Sequence, residues 1–263
     1  EFIKILKTKK PSIGLIILQK TGLMEIVFPE IHVMYGMNQT SEWHHKDIFA
    51  HTMQVVDNAA LLSDKMEIRF AALVHDIAKP NTRRIDKRKG YTFHGHDAVG
   101  EKMLNVVSSR MKLSNYLKNY LKKLTLLHLR PIALVKTIVT DSAVRRLMLA
   151  AGEDLNDLMV LCRADITTKN PKRIKKYLNN FNKVEAKMAN VSEKDAMVAF
   201  QSPVRGDEIM AICGLTEGRI IGDIKKDIEE QILEGKIENT HTAAMSYLLD
   251  IKNDYIAKNN NSI

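Results

Sequence analysis

The stretch RFAALVHDIAKP, residues 69–80, decides how this chain is read. Its apolar run has the pattern of a buried core helix, and Pro80 is a natural stop. Yet His75 and Asp76 stand where that pattern asks for aliphatic side chains. A buried carboxylate without a partner costs several kcal/mol, so Asp76 needs a proton, a cationic side chain or a metal ion. The neighbouring imidazole favours the metal. Successive helix residues point about 100° apart, so the pair cannot complete a site alone and other helices must supply ligands.

Working outward, comparable residues recur. DIFAHTMQVVDNAALL (47–62) sets His51 in a helical pattern with Val55, Val56, Ala59 and Leu62. YLKKLTLLHLRP (120–131) places His128 just before an Arg-Pro breaker, and LNDLMVLCRADITTKN (155–170) ends an apolar face at Asp165. FHGHDAVGEKML (93–104) offers His94 and His96 at a helix entry, and either imidazole can face a site. Separate hydrogen bonds could satisfy each residue, but four such coincidences favour one shared ion. Imidazole with carboxylate suits Mn, Fe, Co, Ni, Zn or Mg, and the absence of cysteine argues against a closed structural zinc site. His32, His44, His45 and His241 read as ordinary histidines.

Helical periodicity runs nearly throughout the 263 residues, with 6% aromatics and 13 methionines, so the fold expected is all-α. No apolar run approaches a membrane span and no signal segment opens the chain, which together predict a cytoplasmic protein. Cys162 and Cys213 lie in apolar helical patterns and are expected to be buried free thiols. Residues 1–40 read as two short helices, split at Lys10-Pro11 and closed by Pro29. The charged segment IDKRKGYTF (85–93) is expected to be mobile or a short hairpin over the site. Beyond Asn170-Pro171 come a basic helix, a further helix ending near Phe200, and a region with Gly214, Gly218 and Gly222 at four-residue spacing. Those glycines suit close helix crossings or, with Asp207 or Thr216 as caps, phosphate contacts.

Forty basic against 31 acidic residues give a formal charge of +9, which favours phosphate-bearing partners. Basic residues concentrate in 163–188, including Arg163, Lys172, Arg173 and Lys176. Such a run is either a solvated helix face or an RNA backbone contact. Tyr177 and Phe181, four apart, can stack on bases or pack a core.

His51, His75-Asp76 and Asp165 on helices resemble the HD superfamily of metal-dependent phosphohydrolases. VHDIAKP, FHGHDAVGEKM, LHLRP, DSAVRRLM, GEDLNDLMVLCRADITTKNP and the distal PVRGDEIMAICGLTEGRIIGDIKKDIEEQILEGKIENT resemble more closely the C-terminal part of bacterial tRNA nucleotidyltransferases, the CCA-adding and poly(A) polymerase group. EFIKILKTKKPSIGLIILQKTGLMEIVFPEI is similar to their helical neck. The resemblance implies an HD-type helical domain (41–170) flanked by a neck (1–40) and a tRNA-binding tail (171–263). A polymerising head, with Gly-Gly, Arg-Asp and paired acidic residues, is not found; GLTEGRIIGDI lacks the acidic pair. The chain is therefore not expected to add nucleotides by itself.

The expected centre holds one or two divalent ions (Ni, Mn, Fe, Co or Mg) on His51, His75, Asp76 and Asp165. His96 and His128 either complete a second metal site bridged by Asp76 or bind phosphate. Lys79, one turn after His75, is the expected phosphate-holding cation, and His128 the proton donor. Asp76, Lys79 and His128 form the expected catalytic set. Arg145, Arg146, Arg163, Lys172, Arg173 and Lys176 are the expected RNA or phosphate contacts. The resemblance implies a phosphomonoester or 2',3'-cyclic phosphate as substrate and a tRNA or RNA 3' end as partner, whereas the residues alone reach only a phosphate ester. The rival expectation is a non-catalytic tRNA-binding module with an incidental metal, and a weaker third is a nucleotide phosphohydrolase unrelated to tRNA.

Overall fold

The computed structural model describes residues 1–37, 47–88, 90–136, 140–195 and 202–260. His44, His45 and the expected helix end near Phe200 lie outside them. Among the described residues the fold is all-α apart from one small hairpin. Among the described residues, no helix is long and apolar enough to cross a membrane. The chain divides into two compact units, one of residues 1–138 with 150–186, the other of residues 139–149 with 187–263.

In the first unit, α1 (Phe2–Leu6), α2 (Pro11–Lys20), α3 (Leu23–Val27) and α4 (Pro29–His32) form the N-terminal segment. Pro29 therefore begins a helix instead of closing one. Its fixed φ suits the first helical turn, where the missing N–H would have no partner anyway. The segment is fastened to α6 (Met66–Val74), whose side chains from Ile68 onward are all buried. Phe2, Phe28 and Phe70 pack in tilted and edge-to-face contacts with centroids 5.7–6.4 Å apart. Arg69, only 5% exposed, donates to the carbonyls of Leu6, Thr8 and Ser63. The Asp57 carboxylate of α5 (Ile48–Leu62) accepts from the Ser12 amide and hydroxyl at the start of α2.

Around α6 pack α5, α9 (Asn115–Leu127) and α12 (Leu155–Ala164), and α8 (His96–Arg110) lies along α9. Caps set two of these starts: Asp47 accepts from the Ala50 amide, and Ser114 from the Leu117 amide. The α8–α9 approach is close because residue 100 is glycine; a Cβ there would sit 2.9 Å from Thr125 Cγ2. Pro80 does not stop α6, which already ends at Val74. It lies in the first turn of a short helix, α7 (Lys79–Thr82). The charged segment is a hairpin, β1 (Arg84–Asp86) antiparallel to β2 (Gly90–Thr92), with Ile85 opposite Tyr91. A short helix α10 (Arg130–Lys136) follows α9.

The second unit buries Val204, Ile209, Ile221, Ile224, Ile228 and Leu248 between α14 (Gly206–Cys213), α15 (Arg219–Leu233) and α16 (His241–Asn260). α11 (Asp141–Ala151) and the long α13 (Pro171–Asp195) each span both sets of residues. The spaced glycines are not crossing points. Gly214 ends α14 at a positive φ of 64°, and Gly222 has open space where a Cβ would stand. Neither Asp207 nor Thr216 is an N-cap: Arg205 precedes α14 and Gly218 precedes α15. Cys162 and Cys213 are free and buried.

Candidate metal centre

Three of the converging residues sit at helix C-termini. His75 caps α6, His128 caps α9 and Asp165 caps α12. The last carbonyls of a helix have no amide partner, so they are available to a nearby imidazole N–H. His75 Nδ1 lies 2.8 Å from Ala72 O and His128 Nδ1 lies 2.6 Å from Thr125 O. His96, the first residue of α8, places Nδ1 2.7 Å from Phe93 O. A carbonyl can only accept, so Nδ1 carries the proton in all three. Each Nε2 of a neutral ring is therefore a lone pair aimed inward, as metal-binding histidines require. His51, in the first turn of α5, is oriented by Thr167, with Nδ1 3.1 Å from Oγ1.

Gly95 settles the choice between His94 and His96. Its positive φ of 75° turns the chain immediately before α8, leaving His94 exposed and burying His96.

The inward atoms form two groups that share one carboxylate. His51 Nε2 is 3.0 Å from Asp165 Oδ1 and 3.6 Å from Asp76 Oδ2. His75 Nε2 is 3.1 Å from Asp76 Oδ2 and 3.5 Å from Asp165 Oδ1. The other Asp76 oxygen, Oδ1, lies 3.2 Å from His96 Nε2 and 3.8 Å from His128 Nε2. The latter two nitrogens are 3.3 Å apart. Ligands held about 2.1 Å from one ion at right angles are about 3.0 Å from each other, so these spacings match a shared cation. His75 Nε2 and Asp76 Oδ2 are buried with no aligned hydrogen bond, and facing lone pairs repel unless a cation or proton lies between them. The donor set thus fits divalent metal, with Asp76 able to bridge two positions.

The electrostatics agree. Burial is the largest single influence on His75 and opposes its charge, but the carboxylates of Asp76 and Asp165 together outweigh it and the pKa is pushed up to about 10. Burial likewise opposes charge on Asp76 and Asp165, yet the surrounding histidines, with Lys79 beside Asp76, hold both well below the usual carboxylate range. His128 goes the other way. Burial, reinforced by His75, lowers it to about 4, so it is a neutral ring near pH 7. Lys79 Nζ is 2.6 Å from Asp76 Oδ2. The centre meets solvent at Asp165 and Lys79, whose side chains are 22% and 12% exposed, whereas the other ligand side chains fall below 10%.

The expected RNA contacts are not drawn into this centre. Arg163 is neutralised by a bidentate pair with Glu185 at 2.7 and 2.5 Å. Arg146 pairs with Glu230 and Glu234, and Arg145 donates to Leu233 O. Lys172, Arg173 and Lys176 are exposed at the start of α13. Phe181 is 3% exposed and packs in the core, so it is not a stacking platform. Sequence reasoning missed two supports, Thr167 behind His51 and Asn58, whose amide donates to Ala164 O at 2.7 Å and fixes the end of α12. A polar residue in a helical apolar stripe was the only signal for Asn58.

Two family matches accompany this geometry. Residues 48–170 match the HD domain. Residues 1–35 match a family described as the probable RNA and SrmB-binding site of polymerase A.

Proposed function

Since the chain is a poly(A) polymerase/tRNA nucleotidyltransferase-like protein with an HD domain, we propose that its centre hydrolyses a phosphomonoester or 2',3'-cyclic phosphate at an RNA 3' end. The observation that carries this reading is Asp76, whose two oxygens face separate histidine groups, as a carboxylate bridging two ions does. His51, His75, Asp165 and Asp76 Oδ2 would hold one ion; His96, His128 and Asp76 Oδ1 would hold the second. Mn, Fe, Co, Ni and Mg all suit such a set. When bound, divalent metal supplies a Lewis acid and lowers the pKa of water toward neutrality.

The protein's own part is positioning and charge. Backbone carbonyls lock the His75, His96 and His128 imidazoles in one tautomer, so little reorganisation accompanies reaction. Asp165, on the exposed side, leaves an approach for water and substrate. Lys79, held beside Asp76, sits where its ammonium can take a phosphoryl oxygen whose negative charge grows as the ester bond breaks. His128 acts as a ligand in this scheme and not as proton donor, because its buried ring is already neutral near pH 7.

The opening to solvent at Asp165 and Lys79 favours hydrolysis over a closed scaffold cluster. The test is elemental analysis of the purified protein beside a phosphate-ester screen with Ni, Mn and Mg. His75→Ala is expected to lose both metal and turnover. Full activity in that variant would refute the assignment; loss of metal with no activity in the parent under any ion would favour the RNA-binding scaffold.

A further inference from the structure

Four residues beside the centre form a ladder that the hydrolytic scheme leaves largely unused. Lys79 opens α7 and Arg83 is its C-cap, so the two are four residues apart on one face. Tyr91 is on β2 and Phe93 lies two residues further, the spacing at which an extended chain directs side chains to the same side. The pairs meet in register. Lys79 Nζ is 5.7 Å from the Phe93 ring centroid, and the Arg83 guanidinium carbon is 3.7 Å from that of Tyr91. One end of the ladder is at the metal centre, where Lys79 meets Asp76 and Phe93 O holds His96. The other end leads away along the hairpin.

Arg83 is the unusual member. Its Nε is buried with no hydrogen-bond partner, and no ion pair joins it to a carboxylate among the described residues. Elsewhere comparable arginines are answered: half-buried Arg163 by Glu185 and buried Arg69 by three carbonyls. A guanidinium seated over an aromatic ring, with no protein acceptor among the described residues, suits a planar or tetrahedral oxyanion, and phosphate is the common one. Steps along the ladder are about 6.0 Å on the helix and about 6.7 Å on the strand. Such a step suits movement from one phosphate to its neighbour along a single strand, and alternating cations and rings are how proteins track such strands.

We propose that Arg83, seated on Tyr91, holds the phosphodiester one nucleotide before the phosphate that is hydrolysed, so that the site selects an oligonucleotide end over a mononucleotide. The inference rests on the phosphohydrolase reading of the centre. Arg83 is the specificity-determining residue, and Tyr91 its positioning residue.

The test uses the full chain loaded with Mn and two compounds with the same terminal group, adenosine 3'-phosphate and the dinucleotide ApAp. Wild type should favour the dinucleotide in kcat/KM by about 10- to 100-fold, the range of a charge-assisted hydrogen bond. Arg83→Ala should bring that ratio close to unity, Arg83→Lys should fall between, and Lys87→Ala, an exposed charge on the turn, should keep it. Binding of a labelled short oligonucleotide gives a second readout. In Arg83→Ala, the slope of log K against log salt should be shallower by about 0.7, one phosphate contact on a single strand. If neither compound turns over but the slope still changes, the hydrolytic reading fails and the phosphate contact stands. Equal use of both compounds by wild type, or an unaltered ratio in Arg83→Ala, overturns the inference.

Discussion

The histidine centre and the α14–α16 tail are built from the same kinds of helix but treat polar groups in opposite ways. In the tail, each polar side chain near the core is answered locally. Tyr247 and Tyr255 both donate to Asp227, Glu208 accepts from the Arg205 amide and from His241, and Ile224 and Ile228 fill the interior. In the centre, four imidazoles converge on two carboxylates and on one another, and His75 Nε2 and Asp76 Oδ2 make no aligned hydrogen bond. A tail of this kind is satisfied as it stands. A centre of this kind is satisfied only with cations or extra protons between its ligands, and such local violations of folding rules mark functional sites.

The sharpest way to break this contrast is at Asp76. Asp76→Asn should empty both ion positions, whereas His96→Ala should remove one; metal-to-protein ratios from elemental analysis distinguish two ions from one. The matched change in the tail is Ile228→Ala. It should lower unfolding free energy by about 2–5 kcal/mol in urea titrations while metal content stays the same. Loss of metal there would show that the two regions are not energetically distinct.

pH offers a smaller effect. In metal-free protein the raised pKa of His75 contributes stability below its ordinary value near 6.5, and this contribution fades as pH rises through about 10. The lowered pKa values of Asp76 and Asp165 contribute above the usual carboxylate range and fade in acid. Thermal melts should therefore fall off on both sides, and metal should suppress the alkaline loss, since binding displaces the His75 proton. In the tail the alkaline loss should begin only near pH 10, where Tyr247 and Tyr255, both raised by burial and by Asp227, start to ionise in the unfolded chain. Smallest is the support behind His51: Thr167→Val should weaken metal binding by about 10- to 100-fold, measured by chelator competition.

Much of the centre was legible because titratable residues interrupt apolar runs. His75-Asp76 in RFAALVHDIAKP, His51 in α5 and Asp165 at the end of α12 all break a pattern that burial would otherwise impose. The ambiguity of His94 against His96 was not resolvable that way, because it turned on the backbone of Gly95. Pro29 and Pro80 misled for a related reason: proline ends one helix and begins the next equally well, and here both lie in first turns. The basic run at 163–188 read as a solvated helix face or an RNA backbone contact, yet Arg163 is spent on Glu185, 22 residues away. Charge counts along a chain do not show which cations are paired.

Sequence alone determined the helical class, the ligand types and the chemistry they permit, since periodicity and residue identity are local properties. Only the tertiary structure decided that Asp76 divides its oxygens between two histidine groups, that backbone carbonyls fix every Nδ1 proton but that of His51, and that Arg83 rests on Tyr91. Those are relations between side chains far apart along the chain, set by packing at ångström precision, and no local pattern encodes them.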